Sequence, residues 1–236
     1  VGITHAWAEI EGPIGPLYVA WAPGGITAVE RAGDPEGFET TYELRHGRTL
    51  QRVPAMPDRM ATQVAKRLRG ERTSGPAIDL GSLTEFEQRV LRKTMEIPFG
   101  EVRPYAWVAR EIERPRAVRA VGSALAGNPV PFVIPCHRVV RADGRIGEYG
   151  AGGPEAKRQV LDVEGIDTAA LERLAAAGTR FTGSDSTHIY CFPSCRHARR
   201  TTAGHEVRFH AAEEARAAGY RPCRVCRPLE ASPFAA

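Results

Sequence analysis

Four of the five cysteines fall in two short pairs near the C-terminal end, Cys191-x3-Cys195 and Cys223-x2-Cys226, while Cys136 stands alone far upstream. Two such chelate pairs, brought together, offer four thiolates to one ion, which is the tetrahedral donor set that zinc favours. A segment this short is expected to enclose little apolar core, so the metal would supply much of its folding free energy. An odd number of cysteines argues against a disulfide framework and for thiols that are reactive or metal-bound. His188, His197, His205 and His210 lie in the same stretch and are read as surface imidazoles. The remaining length suits a medium-sized domain ahead of the metal module.

With 42% hydrophobic and 25% charged residues, the composition is that of an ordinary globular protein, and no apolar run is long enough to cross a membrane. The start, Val1-Gly2-Ile3-Thr4-His5, lacks a basic stretch followed by an apolar one, and a cytoplasmic setting is expected. The net charge is +4, and residues 181–236 hold eight Arg against five acidic residues. That bias suits phosphate contacts but does not by itself identify nucleic acid as a partner.

The pattern predicts an α+β fold. Residues 14–30 alternate around Pro23-Gly24-Gly25 as two strands and a turn, and Met60, Val64 and Leu68 mark a helix over Met56–Gly70. Residues 1–80 therefore read as a small mixed sheet-and-helix lobe, with no cluster that suggests chemistry. A helix follows Leu83, with Thr84 and Glu87 in capping-box spacing and Phe86, Val90 and Leu91 on its apolar face, closed by Pro98-Phe99-Gly100. Tyr105–Ile112 and Arg116–Ala126 then form a helix-turn-helix around Val108, Ile112, Val118, Val121 and Leu125. Residues 81–165 make up a second, helical lobe, 166–180 a helical linker rich in alanine, and 181–230 the metal module.

After the second of these helices comes Gly127-Asn128-Pro129-Val130-Pro131-Phe132-Val133-Ile134-Pro135-Cys136-His137-Arg138. Its prolines restrict the backbone on both sides of the thiol. Downstream lie Tyr149-Gly150-Ala151-Gly152-Gly153 and then Glu164-Gly165. From Leu83 to Gly165 the sequence resembles the active-site domain of the O6-alkylguanine-DNA alkyltransferases, through Pro135-Cys136-His137-Arg138-Val139, Asn128, Arg119-Ala120-Val121-Gly122, Tyr149 with its glycines, and Glu164-Gly165. The resemblance implies a DNA-repair protein that acts once, moving the alkyl group of O6-alkylguanine irreversibly to Cys136. His137 would take the thiol proton through a bound water, Glu164 would orient the imidazole, and Asn128 would hold the adjoining turns. Tyr105 would help turn out the nucleotide and protonate the departing guanine, while Arg119 would fill the space left by the flipped base.

The same resemblance implies a monomer bound to double-stranded DNA through the minor groove, with Ala120, Gly122, Ser123 and Ala124 permitting close approach and Arg138 also at the DNA. Tyr149 and Gly150 would border the base pocket. The loop Gly150-Ala151-Gly152-Gly153-Pro154 departs from the family's usual glycine run. It also lacks the strand-to-helix glycine pattern of a nucleotide site, so no diffusible methyl donor is expected. A sensor that binds alkylguanine without repairing it would share the helix-turn-helix but lack the acceptor cysteine.

Residues 181–228, with Thr187 to Cys195, Tyr220-Arg221-Pro222-Cys223 and Cys226-Arg227-Pro228, resemble the zinc domain of the bacterial Ada protein. That resemblance implies zinc at Cys191, Cys195, Cys223 and Cys226. It also allows Cys191 to be a second acceptor, taking methyl from methylphosphotriesters; a purely structural knob that grips DNA is the alternative. His188 and Phe192 stand where that family prefers Gly and Arg. Arg196, Arg199, Arg200, Arg221, Arg224 and Arg227 suit phosphate contact in either case.

Overall fold

The structure is a computed structural model that describes residues 5–71 and 75–228. The last two positions of the expected 181–230 module thus lie outside the described residues. The first lobe is a four-stranded sheet of β1 (His5–Ile10), β2 (Leu17–Ala22), β3 (Gly25–Arg31) and β4 (Leu50–Arg52), in the order β3-β2-β1-β4. The expected hairpin is present as β2 and β3, which pair antiparallel across the Pro23-Gly24 turn. Strand β1 and helix α1 (Pro35–His46) are additions that the sequence reading did not contain. They explain why β2 is buried along nearly its whole length. Leu17 and Val19 face the main core, while Tyr18 and Ala20 pack with Trp7, Phe38 and Tyr42 beneath α1. Helix α2 (Asp58–Leu68) falls within the predicted span.

The second lobe begins with α3 (Glu85–Thr94), started by a complete Thr84/Glu87 capping box. Next come β5 (Arg103–Pro104), α4 (Tyr105–Glu111) and α5 (Val118–Ala126). The apolar stripes Trp107/Val108/Ala109 and Val121/Ala124/Leu125 bury these two helices in one core with α3. Strand β6 (Val139–Val140) pairs parallel with β5, so the chain leading into Tyr105 is bonded to the chain leaving Cys136. Helices α6 (Gly153–Val163) and α7 (Thr168–Ala176) complete the lobe. Helix α7 is no free tether, because Leu171 packs with Val102, Val140, Ile146, Leu161 and Ile166.

The C-terminal module is a second sheet, β7 (Phe181–Ser184), β8 (Ile189–Cys191), β9 (Glu206–Phe209) and β10 (Arg221–Pro222) in the order β10-β8-β7-β9, with the short helix α8 (Ala212–Ala217). The expectation of little core needs correction. Phe181, Tyr190, Phe192, Phe209 and Tyr220 are buried together, in a cluster continuous with the second lobe. The module is docked by specific bonds. The Val102 N–H donates to Ser194 Oγ at 2.9 Å, the Trp107 indole N–H to the Cys226 carbonyl at 3.0 Å, and Arg227 pairs with Glu111 at 2.6 Å.

Arg103, 2% exposed and paired with buried Glu101 at 2.5 Å, lies with its guanidinium 5.6 Å from the Phe192 ring. This accounts for Phe192 in a place where the Ada family prefers Arg, since a second guanidinium there would meet Arg103 in a desolvated seam. Phe192→Arg is accordingly expected to cost about 3 kcal/mol or more, the range for an uncompensated buried charge, and Phe192→Leu about 1–2 kcal/mol. Thermal unfolding and protease cleavage between α7 and β7 measure both; equal stability of the two variants would contradict the docking.

Candidate functional site

The backbone before Cys136 is built from tight turns. Val133 N–H donates to Pro131 O at 2.9 Å around Phe132, whose φ of +68° is costly for a non-glycine residue and is held by packing of its ring on Tyr149. Cys136 N–H donates to Ile134 O at 2.8 Å around Pro135, with φ −81° and ψ 62°, an inverse γ-turn. The side chain of Asn128 ties the two ends together. Its Nδ2 donates to Ile134 O and to Cys136 Sγ, both at 3.1 Å, and its Oδ1 accepts from Val130 N at 3.0 Å. Cys136 opens a single 3-10 turn, Cys136–Arg138, and is 8% exposed.

Glu164, the residue after α6, carries the charge of the site. Its carboxylate is bonded to His137 Nε2 at 2.7 Å, accepts from Arg138 Nε at 2.8 Å and Nη2 at 2.9 Å, and from the Gly100 N–H at 3.2 Å. Gly100 has φ +71°, and a Cβ there would lie 2.9 Å from Glu164 O, so both conformation and approach call for glycine. Burial would raise the Glu164 carboxyl, but the bonds from His137 and Arg138 outweigh it and hold it at about 2. An ionised carboxylate accepts only, so His137 Nε2 must carry the proton and Nδ1 the lone pair. Nδ1 is buried and has no hydrogen-bond partner among the described residues. Burial lowers the imidazole's affinity for a second proton, against the opposing effect of Glu164. The result is a neutral imidazole backed by an ionised carboxylate.

Burial also pushes the Cys136 thiol up, opposed by Asn128 and by the positive charge of Lys157. Lys157 is a residue the sequence reading missed. It is 1% exposed, with Nζ 2.6 Å from Val139 O and 3.1 Å from Glu148 O, and burial brings it down to about 8 against the attraction of Cys136 and Glu148. The signal was present in its periodicity: Lys157, Val160, Leu161 and Glu164 recur at i, i+3, i+4 and i+7, on the inner face of α6. Tyr105 is raised by burial and by Cys136, and so keeps its proton.

A cavity of about 450 Å³ opens beside Cys136, bordered by Asn128, Pro131 and Gly150 and, across from them, by Arg31, Phe38 and Tyr42 of the first lobe. The first lobe, expected to be chemically silent, thus supplies a wall. Tyr149 is buried, its ring edge-on to His137 at 6.1 Å. On α5, Arg119, Ala120 and Ser123 are exposed, and Gly122 lies against the Tyr105 ring. Two expectations are corrected. Arg138 is 5% exposed and committed to Glu164 and to Ile97 O, so it holds the site together from inside and has no guanidinium to spare for DNA. Ala124 is likewise turned into the core.

In the C-terminal module the sulfurs of Cys191, Cys195, Cys223 and Cys226 all lie within 4.8 Å of one another. A zinc tetrahedron with bonds of about 2.3 Å has edges slightly under 4 Å, so the buried set fits such an ion with little adjustment. His188, His197, His205 and His210 are exposed and outside the cluster. Backbone N–H groups of His197 and Ala198 reach Cys195, and those of Val225 and Cys226 reach Cys223. A cavity of about 530 Å³ lies over Cys191 and Cys223, with Arg200, Arg221 and Arg224 on its walls.

Comparison with known proteins gives these two centres their class. The family model of the 6-O-methylguanine DNA methyltransferase DNA-binding domain matches residues 85–166, and that of the metal-binding domain of Ada matches residues 168–229. The Mycobacterium tuberculosis methylated-DNA–protein-cysteine methyltransferase is 37% identical over 164 residues, spanning 67% of this chain and 91% of the relative. An inducible Bacillus subtilis protein of the same name is 33% identical over 150 residues, spanning 63% of this chain and 83% of the relative. The crystal structure of Mycobacterium tuberculosis OGT in complex with DNA superposes with a TM-score of 0.55 at 32% identity, covering 68% of this chain and 93% of that one. The chain belongs to the methylated-DNA–protein-cysteine methyltransferases, DNA-binding repair enzymes, and carries in addition an Ada-type metal-binding domain. Among the described residues, no helix is long and apolar enough to cross a membrane.

The electrostatics set a pH dependence. Glu164 is depressed in the folded state, so its contribution is full above the unfolded carboxyl's value and is lost as pH falls toward about 2. His137 is also depressed, so protonation of the unfolded chain below its ordinary value acts in the same direction. Stability should fall steadily from neutral pH into acid, Glu164 contributing on the order of 3 kcal/mol. Denaturant midpoints between pH 7 and 3 should show a shallower acid limb for Glu164→Gln than for the parent; parallel limbs would contradict this charge assignment.

Proposed function

We propose that Cys136 is the acceptor for the alkyl group on guanine O6 in DNA, and that each molecule reacts once because a thioether has no ready route back to the thiol. The observation that carries this reading is a thiol fixed by Asn128 at the edge of a cavity, next in sequence to a histidine whose carboxylate partner is already ionised. The sulfur gives its proton to His137, through water to Nδ1, and Glu164 stabilises the imidazolium. Sulfur then attacks the alkyl carbon, the S–C bond forms as the C–O6 bond breaks, and Tyr105 supplies a proton to the departing guanine; proton exchange through solvent restores neutral Tyr105 and neutral His137, so that the thiol proton in effect ends on guanine. Lys157 favours the thiolate by its charge. The target carbon is unreachable in a stacked duplex, so the nucleotide must be turned out, and Arg119 on the exposed face of α5 fills the gap from the minor groove. No diffusible methyl donor takes part, and one protein chain is sufficient for the whole site.

Incubation with an oligonucleotide bearing O6-methylguanine should add 14 Da, that is about one methyl group, to the peptide that holds Cys136, and Cys136→Ala should abolish it. Full repair by that variant would end the assignment. Arg119→Ala should slow repair of duplex DNA by about 10-fold or more and leave the reaction with free O6-benzylguanine nearly unchanged, because the free base has no stacking to lose. Equal losses on both substrates would remove Arg119 from base extrusion.

For the C-terminal module we propose zinc at the four cysteines, with Cys191 as a second acceptor that takes methyl from methylphosphotriesters. Cys191 and Cys223 line the arginine-walled cavity, whereas Cys195 and Cys226 are fully buried, and the resemblance to the Ada domain favours the first cysteine of the set as the acceptor. Bound zinc keeps all four sulfurs as thiolates at neutral pH. A neutral triester approaches such a negative cluster without the repulsion a diester meets, while the arginines hold neighbouring phosphates. With Cys136→Ala and DNA carrying only methylphosphotriesters, methyl should appear on Cys191; a zinc-loaded but unmodified module would reduce it to a structural knob.

A further inference from the structure

We infer that Thr182 is a hydrogen-bond donor to the oxygen that leaves the methyl group during transfer to Cys191. The inference rests on the reading of Cys191 as a second acceptor and assigns to that site a group its cysteines cannot supply.

Thr182 is the cross-strand partner of Cys191 in the antiparallel pair β7/β8. Directly opposed residues project from the same face with Cβ atoms about 4.5–5.5 Å apart. Both side chains accordingly line the cavity of about 530 Å³ on that face. The neighbours of Thr182 on its strand point the other way: Phe181 packs on Tyr190 and Phe192, and a Cβ on Gly183 would lie 2.9 Å from the rings of Phe209 and Tyr220. That face is the apolar core, and the Thr182 face is the floor of the cavity.

Thr182 is only 5% exposed, yet its hydroxyl has no hydrogen-bond partner among the described residues. A buried hydroxyl without a partner loses its hydration with nothing in return, so a valine would suit this position better if packing were its only task. Ser184, on the same face, differs in that its hydroxyl is bonded to Ser186 Oγ at 2.8 Å. The unpartnered donor therefore sits across the strand pair from Cys191, in the lining of the same cavity.

The chemistry has use for a donor there. Sulfur attacks the methyl carbon in line, the S–C bond forms, and the C–O bond breaks. Its electron pair stays on the phosphate oxygen, so a neutral triester becomes an anionic diester. No proton moves, and no further reactant is required. A near-attack contact of about 3–3.5 Å places the methyl carbon over sulfur and the departing oxygen one C–O bond beyond it. The Thr182 hydroxyl is enclosed in the lining of the cavity and turns toward that oxygen when the triester seats; its bond strengthens as negative charge develops, which lowers the barrier and not merely the dissociation constant. The arginines on the walls serve the flanking phosphates, leaving this one oxygen to Thr182.

The test uses full-length zinc-loaded protein with Cys136→Ser, so that methyl on Cys191 is read by peptide mass without competition. Thr182→Val keeps the shape and removes the hydroxyl; Thr182→Ser restores it. Transfer from methylphosphotriester DNA should slow on the order of ten- to a hundredfold in Thr182→Val and recover in Thr182→Ser, a smaller effect than a fully enclosed oxyanion donor gives. Methylation of Cys191 by methyl iodide, whose leaving group is a poor hydrogen-bond acceptor, should proceed equally in all three. Zinc content and affinity for unmodified DNA should also match. Equal rates on triester DNA with Cys191 methylated throughout would overturn the role of Thr182 and leave the acceptor standing. A parallel loss with methyl iodide would overturn it too, by showing that the substitution acts on the sulfur. Absence of methyl on Cys191 in the Thr182 parent would instead overturn the acceptor reading, and this inference with it.

Discussion

The buried carboxylate of Glu164 is the interaction on which the rest of the Cys136 site depends. It ends α6, reaches the Gly100 turn after α3, and takes both the imidazole of His137 and the guanidinium of Arg138 from the segment that carries the thiol. Three pieces of chain remote in sequence are thereby fixed to one charge. The same charge decides the proton inventory. With Arg138 permanently paired to it, the site is near neutral while His137 is neutral, and it can accept the imidazolium without moving any group. Lys157, seven residues earlier on the same face, adds a cation whose nearest strong partners are carbonyl oxygens and whose field reaches Cys136.

A second constraint joins the C-terminal module to this lobe. The loop that supplies Cys226 is bonded through its carbonyl to Trp107 in α4, and Arg227 is paired with Glu111 in the same helix. Helix α4 is also the first helix of the helix-turn-helix, with Tyr105 at its start. Ordering of the cysteine cluster and support of the helix-turn-helix are thus mechanically linked. Phe192 is the seam's apolar plug, and its change from the arginine usual in Ada-type domains follows from having Arg103 opposite it. In this docked module the position is a packing residue.

Much of this was legible in the chain itself, because local chemistry acts over a few residues. The capping box at Thr84/Glu87, the β2–β3 hairpin, the two helices of the helix-turn-helix and the two cysteine pairs all depend on spacings shorter than ten residues, and all stand as read. Helix α1 was not legible, since its apolar residues Phe38 and Tyr42 are few and its remaining face is polar; it is held by the sheet it covers. Arg138 was placed at the DNA by the family resemblance, which carries no information on what the guanidinium meets in this chain. Only the approach of Glu164, 26 residues further on, turns it inward.

The sequence alone determined the inventory: a thiol on a proline-stiffened segment, a neighbouring histidine, a carboxylate at a helix end and a four-thiolate metal set. These are consequences of residue type and short spacing. The tertiary structure decided which way each charge faces and what it meets. It buried Arg138, Lys157 and Arg103, brought the first lobe against the Cys136 cavity, and set an unpartnered hydroxyl beside Cys191. The physical reason is that desolvation and pairing energies depend on the whole enclosure around a group. That enclosure comes from strands and helices tens of residues away, whose registers no local pattern encodes.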